Sequence, residues 1–293
     1  MHRTHRRLQD LKSIWLVLIL FSGLTSAATI NPIVDRGWLA EHIHHPDLRI
    51  IDVREPHNFQ AGHLANSVNL PYPLLFDQYL NLPPLSKLQT LLSEAGVDAS
   101  KKVVVLDHGG FKWAARLVWV LHALGHTEAG LLNVGYGHWP EGMFEISQQA
   151  KEVEKTQFIT RVDRQRMKSY LDTLVATQQT NHFILDARPS SHFLGLSSLA
   201  ERAGHIPNAL NFPAVNNSLS TDLGSQLLDL EELAHLYQDL PKNQDIILYC
   251  NDGASAAINY VVLHALGYRA SVYEGSWLEW GNNPSLPINN PSQ

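Results

Sequence analysis

The chain has 293 residues, with 28 acidic against 22 basic side chains and a formal net charge of −6. An acidic chain is repelled by phosphate-rich surfaces, so we expect neither nucleic acid nor an anionic membrane as a partner. Hydrophobic residues make up 44% and charged residues 17%, a composition typical of folded globular proteins, and the length is enough for two domains.

Residues 1–28 have the pattern of a secretory signal peptide. A basic head precedes an apolar run of eleven residues from Ile14 to Leu24, and the small residues Ala27 and Ala28 follow. A bilayer span takes about 20 residues, so an uncleaved anchor is the weaker alternative. We expect cleavage near Ala27-Ala28, export to the bacterial periplasm and no stable membrane insertion. The mature chain loses four bases and one acid, which leaves an excess of nine acidic residues.

Apolar patterns after this segment alternate between strand and helix types. They predict strands at 48–53, 67–70, 102–106 and 129–133, and helices around Trp38, at 85–94 and at 114–124. Alternation of this kind predicts an α/β fold in which a mostly parallel sheet is flanked by helices on both faces.

The same order of elements then returns. GHLANSVNLP at 62–71 recurs as GHIPNALNFP at 204–213, and LHALGH at 121–126 recurs as LHALGY at 263–268, both at an offset of 142 residues. IIDVRE at 50–55 recurs as ILDARP at 184–189 at an offset of 134, so the second copy carries eight extra residues before Gly204. We predict two domains, 29–150 and 151–293, divided within the polar segment 148–157.

The second copy contains the only cysteine, Cys250, between a predicted strand at 246–249 and a helix that ends near Gly267. A single cysteine leaves no internal disulfide. Backbone N–H groups and the helix dipole at such a turn favour negative charge, so we expect a thiol more acidic than free cysteine, whose pKa is about 8.5. The alternative is that Cys250 is only a small buried hydrophobe.

The first copy has Asp107-His108-Gly109-Gly110 at the corresponding turn. It contains no nucleophilic sulfur, although His108 could in principle act as a base. We interpret this copy as a scaffold.

Several motifs resemble rhodanese domains. IIDVREPHNFQAGHLANSVNLP and FILDARPSSHFLGLSSLAERAGHIPNALNFP resemble their strand and Gly-His signature, YCNDGASAA their active-site loop, and YEGSWLEWG their closing element. The tandem order, with cysteine in the second copy alone, resembles the two-domain sulfurtransferases. The resemblance implies two rhodanese-like domains and an enzyme that moves a sulfane sulfur from a small anionic donor, thiosulfate or 3-mercaptopyruvate, to a thiophilic acceptor such as cyanide or a thiol.

The resemblance also implies roles for individual residues. Cys250 is the catalytic residue that becomes a persulfide, and the loop N–H groups surround its sulfur. Arg188 matches the arginine that faces the donor's anionic group, with an ion pair to Glu201 as the alternative. His192 stands where many members have a second arginine, and 76–83 lacks the histidine of mercaptopyruvate enzymes, which argues against a proton relay there. The expected substrate-binding residues are Arg188, His192, Asn251, Asp252, Gly253, Ala254 and Ser255.

Asp252 departs from the loops of the family, which carry basic or small neutral residues. Turned inward, it would repel a dianionic donor and raise the thiol pKa; turned outward, its charge would be screened by water. The sequence leaves its direction open, and we expect modest sulfurtransferase activity with thiosulfate not an optimised donor.

Three other interpretations compete with the sulfurtransferase. Cysteine phosphatases need a loop that ends in an arginine, and residues 255–258 contain none. A non-enzymatic periplasmic carrier that holds sulfane sulfur for a partner protein stays open. The histidines at 42, 44 and 45 lack further ligands at metal spacing, and His63 and His205 are expected to hold the repeated turn, so no metal and no cofactor are predicted.

Overall fold

The computed structural model describes residues 29–292, so the predicted signal peptide lies outside the described residues. Two successive repeats make up this part of the chain. The first repeat contains β1 (Ile33–Val34), α1 (Arg36–His42), β2 (Leu48–Asp52), α2 (Pro56–Ala61), β3 (His63–Leu64), β4 (Ser67–Asn69), α3 (Leu85–Glu94), β5 (Lys102–Leu106), α4 (Lys112–Ala123), β6 (Ala129–Leu132) and β7 (Ile146–Ser147). The second repeat contains β8 (Met167–Lys168), α5 (Tyr170–Ala176), β9 (His182–Asp186), α6 (Ser190–Phe193), β10 (Ala209–Asn211), β11 (Ser218–Thr221), β12 (Gly224–Leu227), α7 (Leu230–Leu236), β13 (Asp245–Tyr249), α8 (Ala254–Ala265), β14 (Arg269–Tyr273) and α9 (Ser276–Asn282).

Each repeat is built on a five-stranded sheet. The strand orders are β4-β2-β5-β6-β1 and β10-β9-β13-β14-β8, and every neighbouring pair is parallel. The two orders correspond strand by strand, which confirms the α/β fold and the internal repeat.

Alternating side chains of the central strands enter different cores. In β5, Val103 and Val105 belong to a core shared by both repeats, whereas Val104 and Leu106 belong to a core on the outer face of the first sheet. Both faces of the strand are therefore buried, which is why its sequence is continuously apolar. Helices α4 and α8 pack against each other within the shared core.

Each repeat also contacts the other at a residue that directly follows a sheet strand. The β11–β12 hairpin contacts the first repeat, where the Leu227 N–H donates to the Asn133 carbonyl at 2.9 Å. In return, the Leu82 N–H donates to the Glu274 carboxylate at 2.6 Å, which fixes the segment after the 3-10 helix Tyr72–Leu75 against the second repeat. Residues of both repeats therefore meet beside the ends of these strands.

The predicted long elements are confirmed with small shifts of their ends. Helix 85–94 and strand 102–106 have the predicted bounds, and the helix expected from residue 114 begins at Lys112. Short elements such as α2, α6 and the β11–β12 hairpin were not predicted, since their polar sequences carry no periodic signal. Residues 148–157 contain no helix or strand and remain the predicted boundary.

Candidate active site

Cys250 lies directly after β13, which is hydrogen-bonded to β9 on one side and β14 on the other. The Cys250 N–H donates to Ser276 Oγ at 3.2 Å, and its carbonyl accepts from the Trp277 N–H at 2.9 Å. Gly253, with φ of 80°, then turns the chain into α8. Because the strand and α9 both hold its backbone, the position of the thiol is fixed on two sides.

Backbone N–H groups surround the sulfur. Those of Asp252, Ser255 and Ala256 hydrogen-bond to Cys250, and each favours the thiolate. A ring of N–H groups at a helix N-terminus is a general anion-binding arrangement. Helix α8 begins at Ala254, so Ser255 is its second residue and reaches the sulfur through its backbone.

The thiol is nevertheless weakly acidic. Burial raises the pKa of Cys250 to about 11, and the Asp252 carboxylate adds to the rise. The expectation of an acidic thiol is therefore wrong for this conformation. A helix N-terminus contributes at most about 2 kcal/mol, whereas burial of a charge shifts a pKa by up to about 3–5 units. The neutral thiol is therefore the main form at pH 7.

Asp252 turns inward. Its Oδ1 lies 3.6 Å from Cys250 Sγ, so the S–H donates to the carboxylate, and the same oxygen accepts the Ala254 N–H at 3.1 Å. Of the two orientations that the sequence left open, the structure shows the one that raises the thiol pKa.

Arg116 enters this site from the first repeat. Its Nη1 donates to the Asp252 carbonyl at 2.9 Å, and its Nη2 lies 3.2 Å from the Glu274 carboxylate. The side chain is fully buried and lies 3.9 Å over the ring of Phe76. Sequence reasoning missed this residue, although an arginine in the otherwise apolar stretch of α4 was a usable signal.

The segment around 76–83 borders the same site without supplying an acid or a base to it. Arg116 Nη2 reaches the Leu75 carbonyl at 3.5 Å. The carboxylate of Asp77 accepts the N–H groups of Tyr79 and Asn81 at 2.8 and 3.0 Å, so it stabilises its own turn.

The predicted donor contact of Arg188 stays a prediction, and the surroundings of the side chain argue against it. The guanidinium is buried, pairs with Asp186 at 2.5 Å and donates to the Gly204 carbonyl at 2.8 Å. Its ion-pair partner is Asp186 and not Glu201. Arg54 forms the same contacts with Asp52 and Gly62 in the first repeat, at 2.6 and 2.8 Å. Because the repeat without a cysteine has the identical arrangement, we interpret it as a device that holds the Gly-His turn.

The remaining predicted site residues lie at or near the loop. Ala254 is buried, Asn251 and Ser255 are half-buried, and the Asn251 carbonyl accepts the Leu278 N–H at 3.0 Å. His192 lies in α6, and within residues 29–292 none of the hydrogen bonds observed joins its side chain to the loop. Its Nδ1 and the Oδ1 of Asn251 are buried without a hydrogen-bond partner.

The corresponding turn of the first repeat is filled by Asp107. Its carboxylate accepts the N–H groups of Gly109 at 2.8 Å, Phe111 at 3.0 Å and Ala114 at 3.2 Å. A side chain of the protein thus occupies the ring of N–H groups that surrounds sulfur in the second repeat, while His108 is exposed. This closed turn agrees with a scaffold role for the first copy.

His63 and His205 hold the repeated turn, as predicted. Their Nδ1 atoms lie 2.8 Å from the carbonyls of Phe59 and Phe193, and each ring stacks on the same phenylalanine. Among residues 29–292 no three His, Cys, Asp or Glu side chains are grouped so that they could hold a metal ion. Of the helices in that range, none is both long enough and apolar enough to cross a membrane.

Comparison with known proteins identifies the family. The profile of the rhodanese-like domain matches residues 35–141 and 168–283. The chain belongs to the rhodanese family. It is 28% identical over 277 residues to the 3-mercaptopyruvate sulfurtransferase of Escherichia coli K12, which covers 87% of this chain and 96% of that protein. It is 27% identical over 271 residues to a thiosulfate sulfurtransferase of Pseudomonas aeruginosa, with 87% and 96% covered.

A solved rhodanese structure has the same fold over its full length. The crystal structure of SseA from Escherichia coli, described as a 3-mercaptopyruvate sulfotransferase, superposes with a TM-score of 0.74 at 27% identity and covers 85% of this chain and 99% of that one. The chain is thus a tandem rhodanese of the sulfurtransferase class, with its single cysteine in the second domain.

Proposed function

We propose that the protein transfers a sulfane sulfur from a small anionic donor, thiosulfate or 3-mercaptopyruvate, to a thiophilic acceptor such as cyanide or a thiol, through a persulfide on Cys250. The observation that carries the proposal is the position of Cys250 Sγ within the N–H groups of Asp252, Ser255 and Ala256. The names of the two relatives support this choice of donors.

The reaction has two displacements at sulfur. Cys250 Sγ attacks the sulfane sulfur of thiosulfate or the thiol sulfur of 3-mercaptopyruvate, an S–S bond forms, and the bond from that sulfur to the rest of the donor breaks. Sulfite or the enolate of pyruvate leaves with the electron pair. A thiophile then attacks the outer sulfur of the persulfide, and Cys250 leaves as the thiolate. This is covalent catalysis of the ping-pong type.

The charges around the thiol favour donors of low negative charge. Asp252 lies beside Sγ, and the nearby cation Arg116 is already paired with Glu274. The loop repels a dianion such as thiosulfate more strongly than it repels a singly charged donor. Slow turnover of thiosulfate is the expected result.

A panel of donors tests the proposal. Thiosulfate, 3-mercaptopyruvate and glutathione persulfide are supplied with cyanide or a thiol to the wild type and to Cys250→Ser. We expect turnover, and a gain of one sulfur atom on Cys250 by mass spectrometry, in the wild type alone. Full activity in Cys250→Ser would refute the role of this residue.

The same panel separates the enzyme from a carrier. A carrier for a partner protein would gain one sulfur atom per Cys250 and show no repeated turnover with small acceptors. The export of the protein to the periplasm is proposed on the pattern of residues 1–28 alone. Cell fractionation, with N-terminal sequencing of the mature chain, tests it.

A further inference from the structure

Among residues 29–292, one side chain that can accept a proton hydrogen-bonds to the Cys250 thiol. The S–H donates to Asp252 Oδ1 across 3.6 Å, and the other groups that hydrogen-bond to the sulfur are backbone N–H donors. The nearby Glu274 carboxylate, at the end of β14, is occupied by Arg116 and by the Leu82 N–H. Arg116, on α4, is a cation and cannot serve as a base.

This proton has to leave before sulfur can attack. Burial raises the pKa of Cys250 to about 11, so the neutral thiol predominates at physiological pH. General-base assistance by a group in contact with the thiol removes the need for a preformed thiolate and contributes about 10²–10⁴-fold. Asp252 is half-buried, so its carboxylate can contact both the buried thiol and a bound donor.

We propose that Asp252 is a catalytic residue that takes the proton of Cys250 during attack on the donor and returns it to the leaving group. The site then selects 3-mercapto-2-oxo acids, in which the thiol lies one carbon from a keto group, over thiosulfate. This inference rests on the proposed function and deepens it.

The proton balance explains the selectivity. With a 3-mercapto-2-oxo acid, Cys250 Sγ bonds to the donor sulfur and the carbon–sulfur bond breaks. The electron pair goes to the enolate, which becomes a stable keto acid only when it gains a proton. Protonated Asp252 supplies that proton and is again a carboxylate. With thiosulfate, sulfite leaves as a stable anion, so the returned proton brings little gain, and the ionised Asp252 repels the incoming dianion.

Asp252→Asn tests the inference. The amide oxygen can still accept the Ala254 N–H, so the loop is expected to keep its shape, and a melting curve checks this. We expect kcat/KM for 3-mercaptopyruvate to fall about 100-fold or more, in the range for a lost general base, and kcat/KM for thiosulfate to stay constant or rise. Asp222→Asn, the same change at an exposed hairpin position, is the matched control and should alter neither value.

The slope of the pH profile gives a readout that a loss of charge alone would not change, because removal of the Asp252 charge lowers the thiol pKa and shifts the profile without altering its slope. With Asp252→Asn, the rate with 3-mercaptopyruvate should rise about tenfold per pH unit toward the thiol pKa, because only preformed thiolate can attack. The wild type should be much less steep. Asp252→Glu, which keeps a carboxylate, should recover part of the wild-type profile.

Two results would overturn the inference. The first is that Asp252→Asn changes kcat/KM for both donors by the same factor, with an unaltered slope of the pH profile, while Cys250 still gains sulfur. In that case the carboxylate transfers no proton, and the proposed function stands. If the wild type gains no sulfur on Cys250 from any donor, the proposed function fails and this inference fails with it.

Discussion

Removal of Arg116 should weaken the protein and its active site together. The side chain is fully buried, and its partner Glu274 is 17% exposed. Arg116→Met keeps an unbranched apolar chain but leaves the Glu274 carboxylate without its counter-ion. Breaking a buried pair in this way costs about 3–5 kcal/mol. At about 2–4 °C per kcal/mol for a chain of this size class, the melting temperature should fall by roughly 6–20 °C.

The same substitution should lower activity beyond the effect on stability. Arg116 Nη1 holds the Asp252 carbonyl at 2.9 Å, in the loop that carries the thiol. A shift of about 1 Å at a reacting group can cost about 100-fold in rate. Initial rates with each donor, measured well below the melting temperature, should show a fall in kcat. Arg116→Lys keeps the positive charge but not the planar guanidinium with its several N–H donors. It should therefore recover only part of the lost melting temperature and part of the lost kcat.

Two comparisons test whether the Arg116–Glu274 pair stabilises the fold. Glu274→Gln and the double variant with Arg116→Met complete a double-mutant cycle, in which we expect a coupling energy of about 1–3 kcal/mol. Lys155→Met breaks the surface pair with Glu94, whose side chains are 63% and 56% exposed, and should change stability by about 1 kcal/mol or less. If Arg116→Met melts no lower than Lys155→Met, the buried pair does not stabilise the fold as argued.

Three further outcomes follow from single positions. Gly253→Ala should lower the melting temperature more than Gly267→Ala. Both glycines have φ near 80°, but only at Gly253 would the new Cβ lie 2.9 Å from Arg116 Nη1. Equal losses of melting temperature in the two variants would contradict this reasoning. Burial, together with the charge repulsion of His264, lowers the pKa of His122 from 6.5 to about 3. The stability that the neutral imidazole allows is fully present above pH 6.5 and is lost as the pH falls toward 3. Between pH 6.5 and 5 the unfolding free energy in urea should drop by about 2 kcal/mol from this group, and His122→Gln should reduce the drop. Asp107→Ala should cost about 1–3 kcal/mol, because three N–H groups lose their acceptor, yet leave kcat unchanged, which activity per folded molecule would check.

Periodic apolar patterns predicted most of the long elements because burial acts on each of them locally. The strand at 102–106 is apolar at every position since both faces of its sheet are covered. The repeated segments at 62–71 and 204–213 indicated two copies of one fold, and their histidines were assigned correctly to the turn. Short polar elements such as the β11–β12 hairpin escaped prediction, since their place depends on contacts with the other repeat.

The electrostatics of the site depended on distances that no pattern contains. A helix N-terminus predicted an acidic thiol, but the depth of burial and the inward turn of Asp252 reversed the sign of the pKa shift. Arg188 was expected to face the donor, and its close pair with Asp186, two residues before it, argues against that prediction. Neither arrangement could be predicted from a pattern, because charge effects depend on exposure and on a few ångströms of separation.

By itself the sequence determined the α/β architecture, the duplication and the position of the single cysteine, because each depends on local patterns or on the identity of one residue. The tertiary structure alone decided that Arg116, 134 positions before Cys250, lies beneath its loop, and that Asp107 fills the equivalent turn of the first repeat. Contacts between distant segments depend on the packing of α4 on α8 and on the hydrogen bonds that join the two repeats. That packing brings the first domain, which has no cysteine of its own, into the active site of the second.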